Sequence, residues 1–462
     1  MGRAWVIGVI LAGVILAAAP AGCASGSASV EGESESAGTS GEASSSSAGW
    51  LSEASTTSGG GEPMDEGCSG YGGTAGPEVV FSEAWIGPAT PGAEPLWRAP
   101  RVACEASRIT AMEYAADGSL YVSGYGAVVK DACAGACAAR HWLRRLSAGY
   151  SVEWTRLRDM DAGTFRALRA APAGGVVVGG AVMAGEVMRP WVARHDAAGE
   201  ELWSVVFDEV GVVNDLALGP GGEIVVVGGV AAGAAKDLWA VKLAEDGSLA
   251  WSATYGEERF ESAAAVAVDA AGRVWVAGGR ADEDPDSPLK WDYWDNLDDW
   301  SFSPRYEEAL VALFDAEGGL SWADAPLGAA GEWPHGGAWA IGVLPGGDAI
   351  VGGGRTRERE WLARYDPSGA SIWEAVTGRG WGITALSVDP GEGTVAMVNL
   401  GEGWGAASVL RTIDADGATV STLEDLWEWS DEANDVVART PGGELVITGA
   451  SRRGWWYGDP GY

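Results

Sequence analysis

The sequence has few of the groups that catalysis and nucleic-acid binding draw on. Histidine occurs three times, at His141, His195 and His335, and 30 Lys and Arg face 65 Asp and Glu, for a formal net charge of −35. A surface that negative repels phosphate backbones and anionic headgroups, which excludes nucleic acid and a polybasic membrane contact. There is no Gly-x-Ser-x-Gly elbow, no His-Glu-x-x-His pair and no phosphate-binding Gly-Lys-Ser loop. Gly391-Glu-Gly-Thr-Val-Ala396 has the glycines of a dinucleotide loop, but it leads into a strand pattern and reads as a hairpin turn. No segment carries an apolar stripe of helical period. What is abundant is Gly, with 71 residues, and Trp, with 25, in a chain that is 47% hydrophobic. Glycine at that level without a collagen period points to many turns between short strands.

Residues 1–22 have one positive charge at Arg3, an apolar run from Trp5 to Ala19, and small residues leading to Cys23. That is the layout of a secretory signal, and the run is short for a spanning helix. Ala19-Pro-Ala-Gly-Cys23 resembles the bacterial lipoprotein signal, in which the Cys becomes the lipidated first residue, with Pro20 standing where that pattern has an aliphatic side chain. The resemblance implies an exported chain held in the cell envelope through Cys23. Ala24 does not match the Asp signal for inner-membrane retention, which points to the outer membrane. Ordinary cleavage among the small residues is the alternative. Residues 24–67 are mostly Ser, Gly, Ala and Glu, with eight acidic residues and no Lys or Arg. Such a stretch buries too little apolar surface to offset chain entropy, so residues 23–70 are expected to form a disordered tether.

Residues 71–462 carry an internal repeat. Trp191-Val-Ala-Arg-His-Asp-Ala-Ala-Gly-Glu-Glu-Leu-Trp203 is followed by Leu238-Trp-Ala-Val-Lys-Leu-Ala-Glu-Asp-Gly-Ser-Leu-Ala-Trp251 and later by Trp361-Leu-Ala-Arg-Tyr-Asp-Pro-Ser-Gly-Ala-Ser-Ile-Trp373. Each unit reads as four strands: an alternating strand ending in an Asp-x-x-Gly turn, one starting at the Trp, a short apolar one, and a β-branched run ending in Gly-Gly. The β-branched run recurs from Leu120, Val176, Ile224, Val274, Ala349, Val395 and Leu445, and the Trp recurs at Trp97, Trp154, Trp203, Trp251, Trp322 and Trp373. The sixth full unit has an aliphatic patch near Val420 instead. Asp117, Asp196, Asp246, Asp315, Asp366 and Asp416 read as turn residues.

Units that cannot stand alone close most economically into a ring, which leaves few edges. The expectation is an all-β chain, a seven-bladed β-propeller of four-stranded antiparallel blades. Trp455-Trp-Tyr-Gly-Asp-Pro-Gly461 looks like the start of a further unit, whose strand would complete a blade begun near Val79 to Trp97. The units resemble the β-propeller repeats of bacterial surface proteins (SBBP repeats). They are also similar to the PQQ-like repeat of quinoprotein dehydrogenases and of the outer-membrane assembly lipoprotein, where an Asp-x-x-x-Gly turn precedes a docking Trp. That resemblance implies architecture; propellers host many functions.

Cys68, Cys104, Cys133 and Cys137 are an even set in an exported chain, expected as disulfides with three possible pairings, of which Cys68 with Cys104 and Cys133 with Cys137 are the local ones. A metal site is the alternative for Cys133 and Cys137. The interval between Val274 and Ala349 holds an insertion at about 281–308. It carries Asp282, Asp284 and Asp286, oxygen ligands of the kind calcium takes, although Ser287 and Tyr293 stand where an EF-hand has Gly and Glu. Its Trp291, Tyr293, Trp294 and Trp300 are candidates to stack on a sugar or grip a partner, or else to pack on the propeller. His141 and His195 are explained by repeat position, and no catalytic residue stands out. The reading is a non-enzymatic, monomeric, lipid-anchored surface propeller that binds a protein or glycan or serves as a scaffold, with no cofactor unless calcium. The alternative is an extracytoplasmic enzyme, quinoprotein-like or a hydrolase, with its site in the central funnel.

Overall fold

A computed structural model describes residues 51–52, 81–90, 93–99, 105–128, 140–159, 163–256, 259–282, 306, 308–324, 336–355, 359–378, 382–400, 409–423 and 436–453. Cys23, Cys68, Cys104, Cys133, Cys137, Asp284, Asp286, Trp291, Tyr293, Trp294, Trp300 and His335 lie outside the described residues. Ser47–Tyr462 form one compact unit, and among its described residues every regular element is a strand.

The strands run in chain order as β1 (Leu51–Ser52), β2 (Phe81–Pro88) and β3 (Trp97–Arg98), then β4 (Glu105–Tyr114), β5 (Leu120–Val128), β6 (Arg140–Leu146) and β7 (Val152–Asp159). Next come β8 (Gly163–Ala170), β9 (Val176–Ala184), β10 (Val187–His195) and β11 (Glu201–Val206), then β12 (Gly211–Leu218), β13 (Ile224–Ala232), β14 (Ala235–Leu243) and β15 (Leu249–Tyr255). They continue with β16 (Phe260–Val268), β17 (Val274–Ala281), β18 (Glu308–Phe314) and β19 (Leu320–Asp324), then β20 (Gly337–Val343), β21 (Ala349–Arg355), β22 (Arg359–Tyr365) and β23 (Ser371–Gly378). The last are β24 (Gly382–Val388), β25 (Val395–Leu400), β26 (Val409–Ile413), β27 (Thr419–Leu423), β28 (Val437–Arg439) and β29 (Leu445–Arg453).

Successive strands pair antiparallel in fours, and the fours form a propeller ring. The inner strands β4, β8, β12, β16, β20, β24 and β28 pack one on the next, and β28 packs back on β4. Closure comes from joining the two ends of the ring in one sheet, β28-β29-β2-β3, with Phe81 opposite Arg453 and Pro88 opposite Val446. The pairing strand is Leu445–Arg453 and not the expected segment 455–461, which lies outside the described residues.

Two further expectations need correction. The hydrogen bonds make six sheets and not seven separate ones: β1 adds a fifth strand to β4–β7, and one parallel bridge, Lys236 to Phe260, joins β12–β15 to β16–β19. The sheets also begin two strands later than the units read from the sequence. The Trp strand is the outer edge of one blade, and the strand after it is the inner edge of the next. The sequence period fixes the length of the unit but not its phase.

Depth within a blade explains the strand compositions. β9 and β13 lie in the middle of their blades with both faces covered by neighbouring blades, so Val176-Val-Val-Gly-Gly and Ile224-Val-Val-Val-Gly-Gly are buried throughout. Outer strands such as β15 have one solvated face and alternate. The Gly-Gly pairs answer to the inner strands. Each of β4, β8, β12, β16, β20 and β24 bulges by one residue: the register passes over Thr110, Arg166, Asn214, Ala264, Trp339 and Thr384. At the bulge the backbones crowd, and a methyl on Gly228 would overlap the Val212 carbonyl.

Adjacent blades are stitched by the repeated Trp. Trp154, Trp203, Trp251, Trp322 and Trp373 donate Nε1–H to the carbonyls of Ala197, Glu245, Ala316, Pro367 and Ala415 in the next blade, at 2.9, 3.2, 3.1, 3.3 and 3.0 Å. Arg145, Arg194, Lys242 and Arg364, each directly across the ladder from one of these Trp residues, reach the carbonyls of Ala197, Glu245, Ala316 and Ala415. Asp196, Asp315, Asp366 and Asp414 hold their turns by accepting two backbone N–H groups on Oδ1. The turn carboxylate of the last of these is thus Asp414 and not Asp416. Val420 does not replace a docking Trp. It is 60% exposed, and Ser421 holds the place opposite Thr412.

Candidate functional site

With four strands per blade, the turns between the first and second and between the third and fourth strands fall at one end of the ring, and the hairpins between the second and third strands fall at the other, beside the blade-to-blade connections. The turn end is built mostly of tight turns such as Asp196–Gly199 and Asp366–Gly369, the longer β2–β3 loop, 89–96, being the exception. At the connection end lie the strand ends that flank 129–139 and 283–305, the β3–β4 connection, the start of β2 and the end of β29. The segments expected to carry Cys104, Cys133, Cys137 and the insertion all leave from that end.

The base of the insertion is fixed by charge. Arg280 at the end of β17 lies 3.6 Å from the buried Glu261 and 3.8 Å from Glu308 on β18, and it donates to the Tyr255 hydroxyl. Arg259 bridges Glu308 at 3.1 Å and Asp282 at 3.0 Å. Asp282, a candidate calcium ligand, is therefore held by a guanidinium. Among the described residues no group of three or more His, Cys, Asp or Glu is placed to hold a metal.

The bulges supply a second set of groups, along the inner strands. Each inner strand but β16 is the last of its sheet, and each bulged residue is half-buried and follows a buried one. One polar arc crosses three blades: Arg166 donates to Asn214 Oδ1, and Asn214 Nδ2 donates to Ser262 Oγ at 3.2 Å and the Ala263 carbonyl at 2.8 Å. A second arc lies closer to the turn end. Arg169 donates to Asp215 at 3.1 Å and stands 3.8 Å from Glu113, while Asp215 also accepts Val266 N–H at 3.0 Å. Enclosure by the inner wall pushes Glu113 up to about 7, against the opposing pull of Arg169. Blades on the far side of the axis contribute Trp339 and Thr384 instead, with the Trp339 ring filling the space left by Gly337 and Gly382.

This axial arrangement was not among the sequence expectations. Its one sequence signal is the residue that falls opposite each Gly-Gly once the register is known.

The two described histidines are structural. His141 lies between the Tyr125 and Phe165 rings at 5.9 and 5.6 Å, 3% exposed, and burial lowers it to about 3. His195 is 1% exposed, and burial lowers it to about 4. Neither is poised to exchange protons near neutrality.

The fold defines the class: an all-β propeller ring of four-stranded antiparallel blades. No family model matches the chain, and no curated protein matches it. Among solved structures it is similar to a protein of unknown function from Bacteroides caccae, at 12% identity and a TM-score of 0.40 over 62% of this chain and 90% of that one. It is also similar to Sqt1 from Chaetomium thermophilum, at 13% identity and a TM-score of 0.43 over 68% of this chain and 71% of that one.

Proposed function

We propose that the chain is a seven-bladed propeller that acts as a binding or scaffold module, exported and held in the bacterial envelope by a lipid on Cys23. Dividing the eight-stranded sheet at its single parallel bridge and setting β1 aside supports a count of seven. The observation that carries the binding role is the unequal ends: a turn end built mostly of tight turns, and a connection end from which most of the long segments leave. Loops set on a rigid frame are where recognition is built at least cost to the core. In this reading the segment 281–308, with Trp291, Tyr293, Trp294 and Trp300, contacts a protein or glycan. Calcium would draw on Asp284 and Asp286, and on Asp282 only in competition with Arg259, and the four later cysteines form disulfides.

The axial arcs favour this reading over catalysis. Arg169 and Asn214 are engaged in bonds between blades, which suits a strut more than a reactive group.

The test is capture of envelope proteins and glycans by the intact chain and by a variant with Trp291, Tyr293, Trp294 and Trp300 changed to Ser. Loss of capture supports the reading. Equal capture removes the insertion from it. Metabolic labelling with a fatty acid that stops at Cys23→Ser tests the anchor.

A further inference from the structure

We infer that the connection end carries a docking patch on two adjacent blades, centred on Val187 and Val210, for a partner protein that presents an apolar plug flanked by Lys or Arg. The inference rests on the binding role proposed above and names the contact and its chemistry.

The β9–β10 hairpin closes at Gly185-Glu186, and Met183 and Val187 on its two arms are 41% and 37% exposed. Beside it, β11 ends on Val206, 42% exposed, and the chain turns through Val210, also 42% exposed, into the next blade. There the Val210 carbonyl accepts Ala231 N–H at 2.8 Å. That bond ties Val210 to the tip of the β13–β14 hairpin, Ala231-Ala-Gly-Ala-Ala235, of which 231–234 are exposed. β12, which begins just after Val210, packs against both β9 and β10, and both hairpins turn at this end of adjacent blades.

Other exposed aliphatic residues, such as Val152, Leu202, Leu249, Ile372 and Val420, sit one to a blade on outer strands, as lone surface residues do. Among the described residues they gather here, and an Ala-Ala-Gly-Ala-Ala tip offers water no polar side chain. In a chain of net charge −35 this is an anomaly that a partner would resolve.

Charge specifies that partner. Glu186 and Glu209 are exposed at the rim, and Asp237 stands at the start of β14. The cations there are Arg189, paired with Asp208 at 2.8 Å, and the buried Lys236. The free charge at the rim is negative, so the complementary surface is apolar with a basic border. The flat small-residue tip lets a bulky side chain approach the backbone closely.

The probe is a peptide with a Leu-Trp-Leu centre flanked by Lys pairs, set against the same centre flanked by Glu pairs, each added to the full chain. The Lys-flanked peptide is expected to slow hydrogen exchange over 183–188, 206–211 and 231–235, and to bind about tenfold tighter than its Glu-flanked counterpart. Val187→Asp with Val210→Asp should lower that affinity about tenfold or more with an unchanged melting temperature. Met183→Gln is a milder variant, expected to shift affinity in the same direction. Equal binding of the two peptides, or full affinity in both variants, overturns the patch. Slowed exchange confined to other connections of the same end overturns the patch while leaving the binding role standing. Two other results also overturn it: self-association of the chain abolished by the paired variant, which makes the occupant a second copy, and flotation with zwitterionic vesicles abolished by it, which makes the occupant a lipid surface.

Discussion

Trp251 lies on Gly318 of the next blade: its Nε1–H reaches the Ala316 carbonyl at 3.1 Å, and a methyl on Gly318 would stand 2.7 Å from the indole. Gly318 has φ +90, which a side chain tolerates poorly in any case. Gly174 has nearly the same φ, +88, with nothing near its missing methyl. Gly174→Ala should cost about 1 kcal/mol for backbone strain alone. Gly318→Ala should cost about 2 kcal/mol more as the indole is displaced from its seat. Chemical denaturation of both variants measures the difference.

The bulges make a second comparison. Gly228→Ala should destabilise the ring by more than about 3 kcal/mol, because the added methyl has only the Val212 backbone to displace. Asn214→Ala removes side-chain bonds across two blade junctions and should cost about 1–2 kcal/mol, with the bulge retained.

Acid should weaken the chain through its two buried histidines. Both are lowered in the fold, to about 3 and about 4, so the unfolded chain takes up protons first as pH falls below about 6.5. Stability is then lost progressively toward pH 4, by on the order of 3 kcal/mol for His141. Melting of His141→Phe across this range should show a flatter acid limb than the unaltered chain.

Glu113 works in the opposite sense. Its carboxyl is raised to about 7, so the fold holds a proton that the unfolded chain has released from about pH 4.5 upward. Its contribution to stability therefore declines from about pH 4.5 through about 7 and is flat above. Side-chain access of 38% softens the effect. Glu113→Gln should remove this decline, and a carbon-detected titration of Glu113 reads its pKa directly.

The beat of Trp and Asp-x-x-Gly made the repeat legible, because docking a large ring on a glycine turn needs both residues at fixed spacing. Phase was not legible: a periodic chain looks the same wherever the unit is cut, and only hydrogen bonds show that the Trp strand ends a blade. The closing strand was placed one segment too late for the same reason. The axial arcs were hidden because a bulged residue looks like any other strand residue until the register is known. Arg166 and Asn214 carry no local mark.

Ring closure is the claim on which the account stands, and removal of residues 441–462 tests it most directly. The account predicts that hydrogen exchange accelerates along Phe81–Pro88 and that the whole ring loses stability in one cooperative step, since an open ring exposes the faces of both flanking blades. Fraying confined to a few residues, with exchange along Phe81–Pro88 and the melting temperature unchanged, would contradict it.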